Sequence, residues 1–204
     1  MKCTMIAAML VSGLAGQTLA DTPMTRLMEQ ETRALRAISG DRLASYVTRP
    51  ELGIAYSRDW LARQSVDGDN EQSACLAEAL YFEARGESVK GQFAVAEVIM
   101  NRVDSAEFPD TVCGVIHQGT GRKFQCQFTY TCDGKPEHIA EQATFARVGK
   151  VARIMAQGAP RRLTDGATFY HSRAVSPRWS RVFERTASIG VHHFYRKPTQ
   201  VSRN

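Results

Sequence analysis

Long apolar runs are scarce in this sequence of 204 residues. The one extended stretch near the start, from Met5 to Leu14, is shorter than the roughly 20 residues that a membrane-spanning helix needs. Lys2 precedes this stretch and small residues ending at Ala20 follow it, which is the pattern of a secretory signal peptide. We therefore predict a signal peptide over residues 1–20, an exported mature chain that begins near Asp21, and no transmembrane segment.

Common metal-binding patterns are also missing. The sequence has no CxxC pair and no HExxH pair, and the cysteines after residue 20 are 38, 13 and 6 positions apart, which matches no common zinc finger. We expect no metal and no cofactor. A zinc amidase site built from His171, His193 and a carboxylate remains an alternative.

The cysteines fit disulfides better than a metal. Removal of Cys3 with the signal peptide leaves an even number, and an even number in an exported chain predicts two disulfides. Three pairings are open, and the sequence does not choose among them. A Cys126–Cys132 bridge would close a tight loop, but we favour Cys113 with Cys126 and Cys75 with Cys132.

Basic residues exceed acidic ones by 26 to 21, which gives a formal charge of +5. Such a surface favours polyanions. Aromatic residues make up only 8% of the chain, and no basic stripe is interleaved with stacking aromatics, so we do not expect a nucleic-acid partner. Anionic cell-wall polymer fits an exported protein better.

The chain divides into a short leading segment and one compact domain. Residues 21–70 form a polar spacer with one amphipathic helix, in which Met24, Leu27, Met28, Leu35 and Ile38 follow helical spacing and Gly40 ends the helix. Residues 71–198 are long enough for one sizeable core, and residues 199–204 form a tail.

The domain reads as mostly helical. We predict a helix from Ala74 to Ala84 capped by Ser73, a buried helix over 89–103 and a third from Pro136 to Gly158. Alternation predicts strands at 167–171 and 191–195. The expected class is α+β, with a small β-hairpin and a loop-rich cleft formed by 108–135.

Glu83 is the strongest candidate for chemistry. It follows Leu76, Ala79 and Leu80 at helical spacing, which places its carboxyl on the face that packs inward. Desolvation raises the pKa of a carboxyl and makes it a proton donor near neutral pH. The alternative is a structural ion pair with Arg102.

Two other glutamates and Arg102 are candidates for catalytic support. Glu87 follows Gly86 and is expected on a turn, as a cap or as a residue that orients others. Glu97 lies inside the buried second helix, where it needs a partner such as Asn101 or Arg102, and it could support Glu83.

Ten ordered blocks resemble the SleB/CwlJ-type cell wall hydrolases. They are ALYFEARGE at 79–87, GQ at 91–92, VA at 95–96, NRV at 101–103, FP at 108–109, VCGVI at 112–116, CQFT at 126–129, DG at 133–134, ATFYH at 167–171 and IGVHHFY at 189–195. The resemblance implies a lysozyme-like fold related to lytic transglycosylases, and cleavage of the bond between N-acetylmuramic acid and N-acetylglucosamine. The catalytic glutamate of the family corresponds to Glu83. The paired cysteines are similar to those of Gram-negative relatives, so we expect the periplasm as the location, with a secreted or wall-associated form as second choice.

The resemblance and the chemistry together predict a one-carboxylate mechanism. An ordinary glycosidase needs two carboxyls about 5 to 10 Å apart, and only Glu83 is placed in the cleft. We therefore expect a lytic transglycosylase that leaves 1,6-anhydro ends. Ordinary hydrolysis results instead if Glu87 or Asp133 positions a water molecule.

Substrate contacts need polar groups for the acetamido arms and flat faces for the sugar rings. The candidates are Gln127, Phe128, Tyr130, Tyr170, His171, Trp179 and His193. The expected partner is the glycan strand of peptidoglycan, and the sequence identifies no protein partner. Two rival functions are a cysteine endopeptidase that uses Cys126 or Cys132 against stem peptides, and a wall-binding module without turnover.

Overall fold

The computed structural model describes residues 23–36, 53–121 and 125–198. The chain forms two units, residues 1–51 and residues 52–204. The signal peptide, Gly40 and the tail predicted from the sequence lie outside the described residues. Within the described ranges, no helix combines the length and the apolar character that crossing a membrane requires.

Helix α1 of the first unit spans Pro23–Arg36. Met24, Leu27 and Met28 are exposed on it, and Glu29 pairs with Arg33 one turn later. A helix is therefore present in the segment where the sequence predicts one, while Ile38 lies outside the described residues. Its predicted end at Gly40 falls among residues that the structure does not describe.

The second unit begins at Leu52, whereas the sequence places the start of the domain near Glu71. The short helix α2 (Arg58–Arg63) explains the difference, because its Leu61 is only 1% exposed and belongs to the core. The rings of Tyr56 and Trp60 lie 5.3 and 6.2 Å from that of Phe93. Part of the predicted spacer is thus packed into the domain.

Helices α3 (Glu71–Ala84) and α4 (Val89–Val103) carry most of the core. The bounds of α4 are those expected, but α3 starts earlier than predicted because Asn70, not Ser73, is its cap. Asn70 Oδ1 accepts from the Ser73 N–H at 2.9 Å, and Ser73 Oγ accepts from the Asn70 N–H at 3.0 Å. This reciprocal capping box satisfies two amides and fixes the start of the helix that bears Glu83.

Helix α5 spans Val112–Ile116 and helix α6 spans Gln142–Ala156. The sequence started α6 at Pro136, which is wrong. Residues 136–141 are not helical. The Glu141 N–H donates to the Tyr81 hydroxyl at 3.1 Å and not to a backbone carbonyl four residues earlier, as it would in a helix. Gly158 follows the helix with a φ of +85°, as expected of a glycine after a helix end.

The predicted disulfide pairing is wrong. The bonds are Cys75–Cys113 and Cys126–Cys132. The first bond links α3, which contains Cys75, to α5, which contains Cys113. The Cys113 N–H also donates to Gln72 Oε1 at 3.1 Å, which places the N-terminus of α5 beside the start of α3. The second bond joins two cysteines that are six positions apart, so it closes a short loop and does not link two different elements.

The sheet has three antiparallel strands in the order β1-β3-β2. They are β1 (Phe169–Ser172), β2 (Glu184–Ile189) and β3 (His192–Arg196). The two predicted strands pair as β1 and β3, with Tyr170 opposite Phe194. The sequence missed β2, a largely polar edge strand that forms the hairpin with β3. The mostly helical α+β class is confirmed.

Candidate active site

A cleft of about 410 Å³ lies between the end of α3, the loop before α6 and the edge of the sheet. It is lined by Glu83, Arg102, Gln127, Phe128, Thr129, Tyr170, His171, Ser172, Val175 and His192. Six of these ten residues are among the candidates chosen from the sequence. Glu83 contributes the only carboxylate of the described residues that line this cleft.

Glu83 lies in the last turn of α3, three positions after Leu80, whose side chain is fully buried. Tyr170 on β1 donates its hydroxyl proton to Glu83 Oε2 at 3.0 Å. No described residue donates a hydrogen bond to Oε1. The carboxyl is therefore held by one oxygen, and the other is left for a partner in the cleft.

Burial raises the pKa of Glu83, and this effect outweighs the Tyr170 hydrogen bond and the positive charge of Arg102, which both lower it. The same environment raises the pKa of Tyr170 well above its ordinary value, chiefly by burial and also through the charge of Glu83. Tyr170 thus stays a neutral donor. A partly desolvated carboxyl beside a neutral donor can deliver and then recover a proton.

Arg102 lies in the cleft wall but is not locked against Glu83. Its Nε donates to the Thr168 carbonyl at 2.7 Å, and its guanidinium lies 5.4 to 5.9 Å from the ring centres of Phe108, Phe128 and Phe169. Among the residues described, no ion pair joins it to Glu83. Burial lowers the pKa of Arg102 to about 10, so the group remains a cation at neutral pH.

Gln127 connects Arg102 to the loop that the second disulfide closes. With its amide oxygen turned toward the guanidinium, Oε1 accepts from the two terminal nitrogens of Arg102 at 3.2 and 3.3 Å. The Gln127 N–H donates to the Gln118 carbonyl at 2.9 Å. Backbone, side chain and disulfide therefore hold this wall of the cleft in one arrangement.

Phe128 and Tyr130 are more buried than a sugar platform would be. Phe128 is 2% exposed and Tyr130 is 8% exposed, and the Tyr130 ring stacks on Phe82 at 4.5 Å. Phe128 reaches the cleft wall, whereas Tyr130 is not among the lining residues. Substrate contact by Tyr130 stays a prediction that this geometry does not favour.

Glu87 lies behind the cleft wall, under the turn between β2 and β3. Its Oε1 accepts from the Val191 N–H at 3.1 Å and lies 3.4 Å from His192 Nδ1, and both side chains are less than 9% exposed. Glu87 is thus on a turn, as expected, but it contacts the hairpin and not the cleft.

Glu97 has other partners than those expected. Its carboxylate accepts from the backbone N–H groups of Leu163 and Thr164 at 3.0 and 2.9 Å, and from the Thr164 hydroxyl at 2.8 Å. Neither Asn101 nor Arg102 is bonded to it. The carboxylate anchors the segment before β1, and a direct role beside Glu83 is not what its contacts favour.

His193 and Trp179 lie on the outer face of the sheet, away from the cleft lining. His193 Nδ1 is 2.8 Å from Ser188 Oγ, and the Trp179 ring packs 5.3 to 5.5 Å from those of Phe169, Phe183, Tyr195 and His171. His171 reaches the cleft from this cluster, with Nε2 3.0 Å from the Tyr195 hydroxyl.

Sequence reasoning missed His192, which lines the cleft and is 6% exposed. The signal was available, because residues two apart on a strand share a face, and His192 therefore shares the face of the fully buried Phe194. Thr129, Ser172 and Val175 were missed as well, and their positions on loops and at a strand end carry no comparable periodic signal.

The rival sites find little support in the geometry. Cys126 and Cys132 are bonded to each other, so neither is available as the thiolate that a cysteine peptidase needs. In residues 23–36, 53–121 and 125–198, no three histidine, cysteine or acidic side chains are grouped as metal ligands would be.

Comparisons with known proteins all point to enzymes of the cell wall or the spore cortex. A family model described as Cell Wall Hydrolase matches residues 86–195. The chain is 52% identical over 60 residues to a spore cortex-lytic enzyme of Oceanobacillus iheyensis, and 41% identical over 80 residues to one of Bacillus subtilis. These matches cover 29% and 37% of this chain and only 20% and 24% of the two relatives.

Two solved structures are also similar. The catalytic domain of the germination-specific lytic transglycosylase SleB from Bacillus anthracis is 31% identical, with 65% of this chain and 100% of that domain covered and a TM-score of 0.48. The catalytic domain of the Bacillus cereus SleB protein is 32% identical, with 66% and 98% covered and a TM-score of 0.46.

Proposed function

Because the chain belongs to the cell wall hydrolase family, we propose that it cleaves the glycan backbone of peptidoglycan, with Glu83 as the acid and then the base. The bond is that between N-acetylmuramic acid and N-acetylglucosamine, and the outcome is lytic transglycosylation. The observation that carries the proposal is a single desolvated carboxyl in the cleft, hydrogen-bonded through one oxygen to Tyr170.

The relatives supply the substrate class. Their names describe enzymes that lyse spore cortex, and one similar domain is described as a lytic transglycosylase. The matched segments are about a quarter or less of the curated relatives' length. The activity of this chain is therefore proposed from its own cleft together with these names.

The reaction needs no second carboxylate. Protonated Glu83 gives its proton to the glycosidic oxygen while the bond from that oxygen to C1 of the muramyl sugar breaks. The neighbouring N-acetyl group helps to stabilise the cationic sugar. Glu83, now a carboxylate, removes the proton of the muramyl 6-hydroxyl as that oxygen bonds to C1, which yields a 1,6-anhydro end and restores the acid.

The positions of the other acidic residues support this scheme over hydrolysis. A two-carboxylate glycosidase needs its second group about 5 to 10 Å from the first, facing the same sugar. Glu87 is covered by the β2–β3 turn, Glu97 is committed to the segment before β1, and Asp133 accepts from the Lys135 N–H outside the cleft lining.

The compartment is part of the same proposal. A signal peptide over residues 1–20 would export the chain, and the two disulfides need an oxidising environment to persist. We place the protein in the periplasm, where glycan strands are accessible to it.

Mass spectrometry of the products released from purified sacculi tests the proposal. Muropeptides with 1,6-anhydro ends are expected. Reducing ends would indicate hydrolysis, and free stem peptides would indicate an amidase or endopeptidase; either result overturns the proposed reaction. Binding without release of any fragment would indicate a wall-binding module.

A further inference from the structure

Two consecutive histidines on β3 have opposite surroundings. His192 lies in the cleft wall, where its ring centre is 5.2 Å from that of Tyr170 in a T-shaped arrangement, and Tyr170 in turn bonds to Glu83. His193 faces the other side of the sheet and contacts Ser188. The strand therefore places one histidine beside the proposed proton donor and keeps its neighbour away.

The Glu87 carboxylate lies beside Nδ1 of His192. At 3.4 Å, the Glu87 carboxylate is long for a hydrogen bond to Nδ1. Nδ1 is buried and has no hydrogen-bonding partner among the described residues, so the nearby Glu87 carboxylate is the acceptor available to a proton on it.

Two glycines make room for this carboxylate. A Cβ on Gly190 would lie 1.8 Å from Glu87 Oε2, and a Cβ on Gly91 would lie 2.6 Å from the same oxygen. The Val191 N–H holds the other oxygen. The chain thus builds a closed seat for the Glu87 carboxylate between α4 and the hairpin turn, directly behind His192.

A carboxylate at one ring nitrogen decides the state of the other. With its proton on Nδ1, a neutral imidazole has a bare lone pair on Nε2, which can only accept. The two ring nitrogens point in widely different directions, and no described residue bonds to Nε2. Burial also lowers the pKa of His192 and outweighs the charge of Glu87, which raises it. The lowered pKa favours the neutral imidazole.

We propose that Glu87 positions His192 as a hydrogen-bond acceptor in the cleft, and that Nε2 binds a donor group of the glycan, an amide N–H or a hydroxyl. This inference rests on the proposed function for the identity of the glycan. His192 is then a substrate-contacting residue and Glu87 a positioning residue, and the cleft selects for a sugar that presents a donor at this place.

Two substitutions of His192 separate the acceptor from the shape of the ring. Asparagine places an amide near Nδ1 and can still meet Glu87, but it has nothing at the position of Nε2. Glutamine reaches the position of Nε2 and can present an oxygen as acceptor. His193→Asn is the matched control on the outer face of the same strand.

We expect kcat/KM on sacculi to fall about tenfold in His192→Asn, the effect of leaving one buried partner unpaired. His192→Gln should stay within about threefold of the parent, and His193→Asn should be unchanged. Parental activity in His192→Asn would overturn the proposal. Equal losses in both His192 variants would overturn it too, because they would indicate a packing role.

A binding assay tests the role of His192 without turnover, and it does not depend on whether the His192→Asn variant folds. Glu83→Gln protein is tested for binding to purified glycan strands across pH, with and without His192→Gln. Binding should weaken as pH falls and His192 gains a proton, and this dependence should be smaller in the double variant. The other titratable or charged groups facing His192 in this protein are Glu87, Tyr170, His171 and Arg102, and they are present in both proteins.

The two proposals fail in different ways. Reducing ends or stem peptides among the products would overturn the proposed transglycosylase reaction. The glycan-binding comparison would still test whether His192 contacts the glycan. A pH dependence that persists unchanged in the double variant would overturn the role of His192, whatever the products are.

Discussion

Replacing Tyr170 with phenylalanine removes one atom from the site and leaves the ring in place. The lost hydroxyl is the donor to Glu83 Oε2 at 3.0 Å. A hydrogen bond to a charged group contributes about 1.5–3 kcal/mol. Because the charge on Glu83 is only partly developed at the transition state, roughly half of the lower value, about 0.75 kcal/mol, should be lost, which is about 3.5-fold in kcat.

The same substitution should move the pH profile in a defined direction. The Tyr170 hydrogen bond lowers the pKa of Glu83 against the larger effect of burial, so its removal lets that pKa rise further. The acid form then persists to higher pH, and the alkaline limb of the kcat profile should shift upward. KM should change little, because the hydroxyl is bonded to Glu83.

The assay is the initial rate of dye release from labelled sacculi between about pH 4 and pH 9, which extends upward from the ordinary pKa of a glutamate side chain. Tyr81→Phe is the control, because it removes a buried hydroxyl that accepts from the Glu141 N–H outside the cleft. An alkaline limb that stays in place or moves downward in Tyr170→Phe would refute the reasoning.

Two further predictions concern the scaffold of the cleft. Serine in place of both cysteines of Cys75–Cys113 should cost about 4 kcal/mol of unfolding free energy, and the same change at Cys126–Cys132 about 2 kcal/mol, from the lengths of the closed loops. The loss of activity should follow the reverse order, because the shorter loop forms the cleft wall. Equal losses of activity in the two variants, measured under conditions where both remain folded, would contradict this. Gly190→Ala should destabilise more than Gly166→Ala, since both impose a left-handed alanine worth roughly 1–2 kcal/mol but only the former meets the Glu87 carboxylate. Equal thermal midpoints in the two variants would show that Glu87 is not seated as described.

Local patterns predicted much of the helical part of the domain. Helix α4 was predicted at its observed bounds because apolar residues lie on nearly every side of it and its flanks are polar. The start of α6 was wrong, since the hydroxyl that satisfies the Glu141 N–H comes from Tyr81, 60 residues earlier in the chain. The spacing of neighbours cannot report a partner at that distance.

The site shows the same division. Glu83 was placed on the inward face by helical spacing alone, whereas its bond to Tyr170 depends on how the sheet docks against α3. The disulfides were mispaired because Cys75 and Cys113 meet only when α3 packs on α5. Strand β2 was missed because an edge strand with polar side chains has no alternating pattern to detect.

The exchange of Glu83 for glutamine tests the central claim most directly. Glutamine keeps the shape of the side chain and can still accept from Tyr170, but it cannot deliver an acidic proton. The release of soluble glycan from sacculi should fall at least about a hundredfold, the size of a general-acid contribution, while binding to sacculi is retained. Undiminished release by this variant would contradict the account, because another group would then have to protonate the glycosidic oxygen.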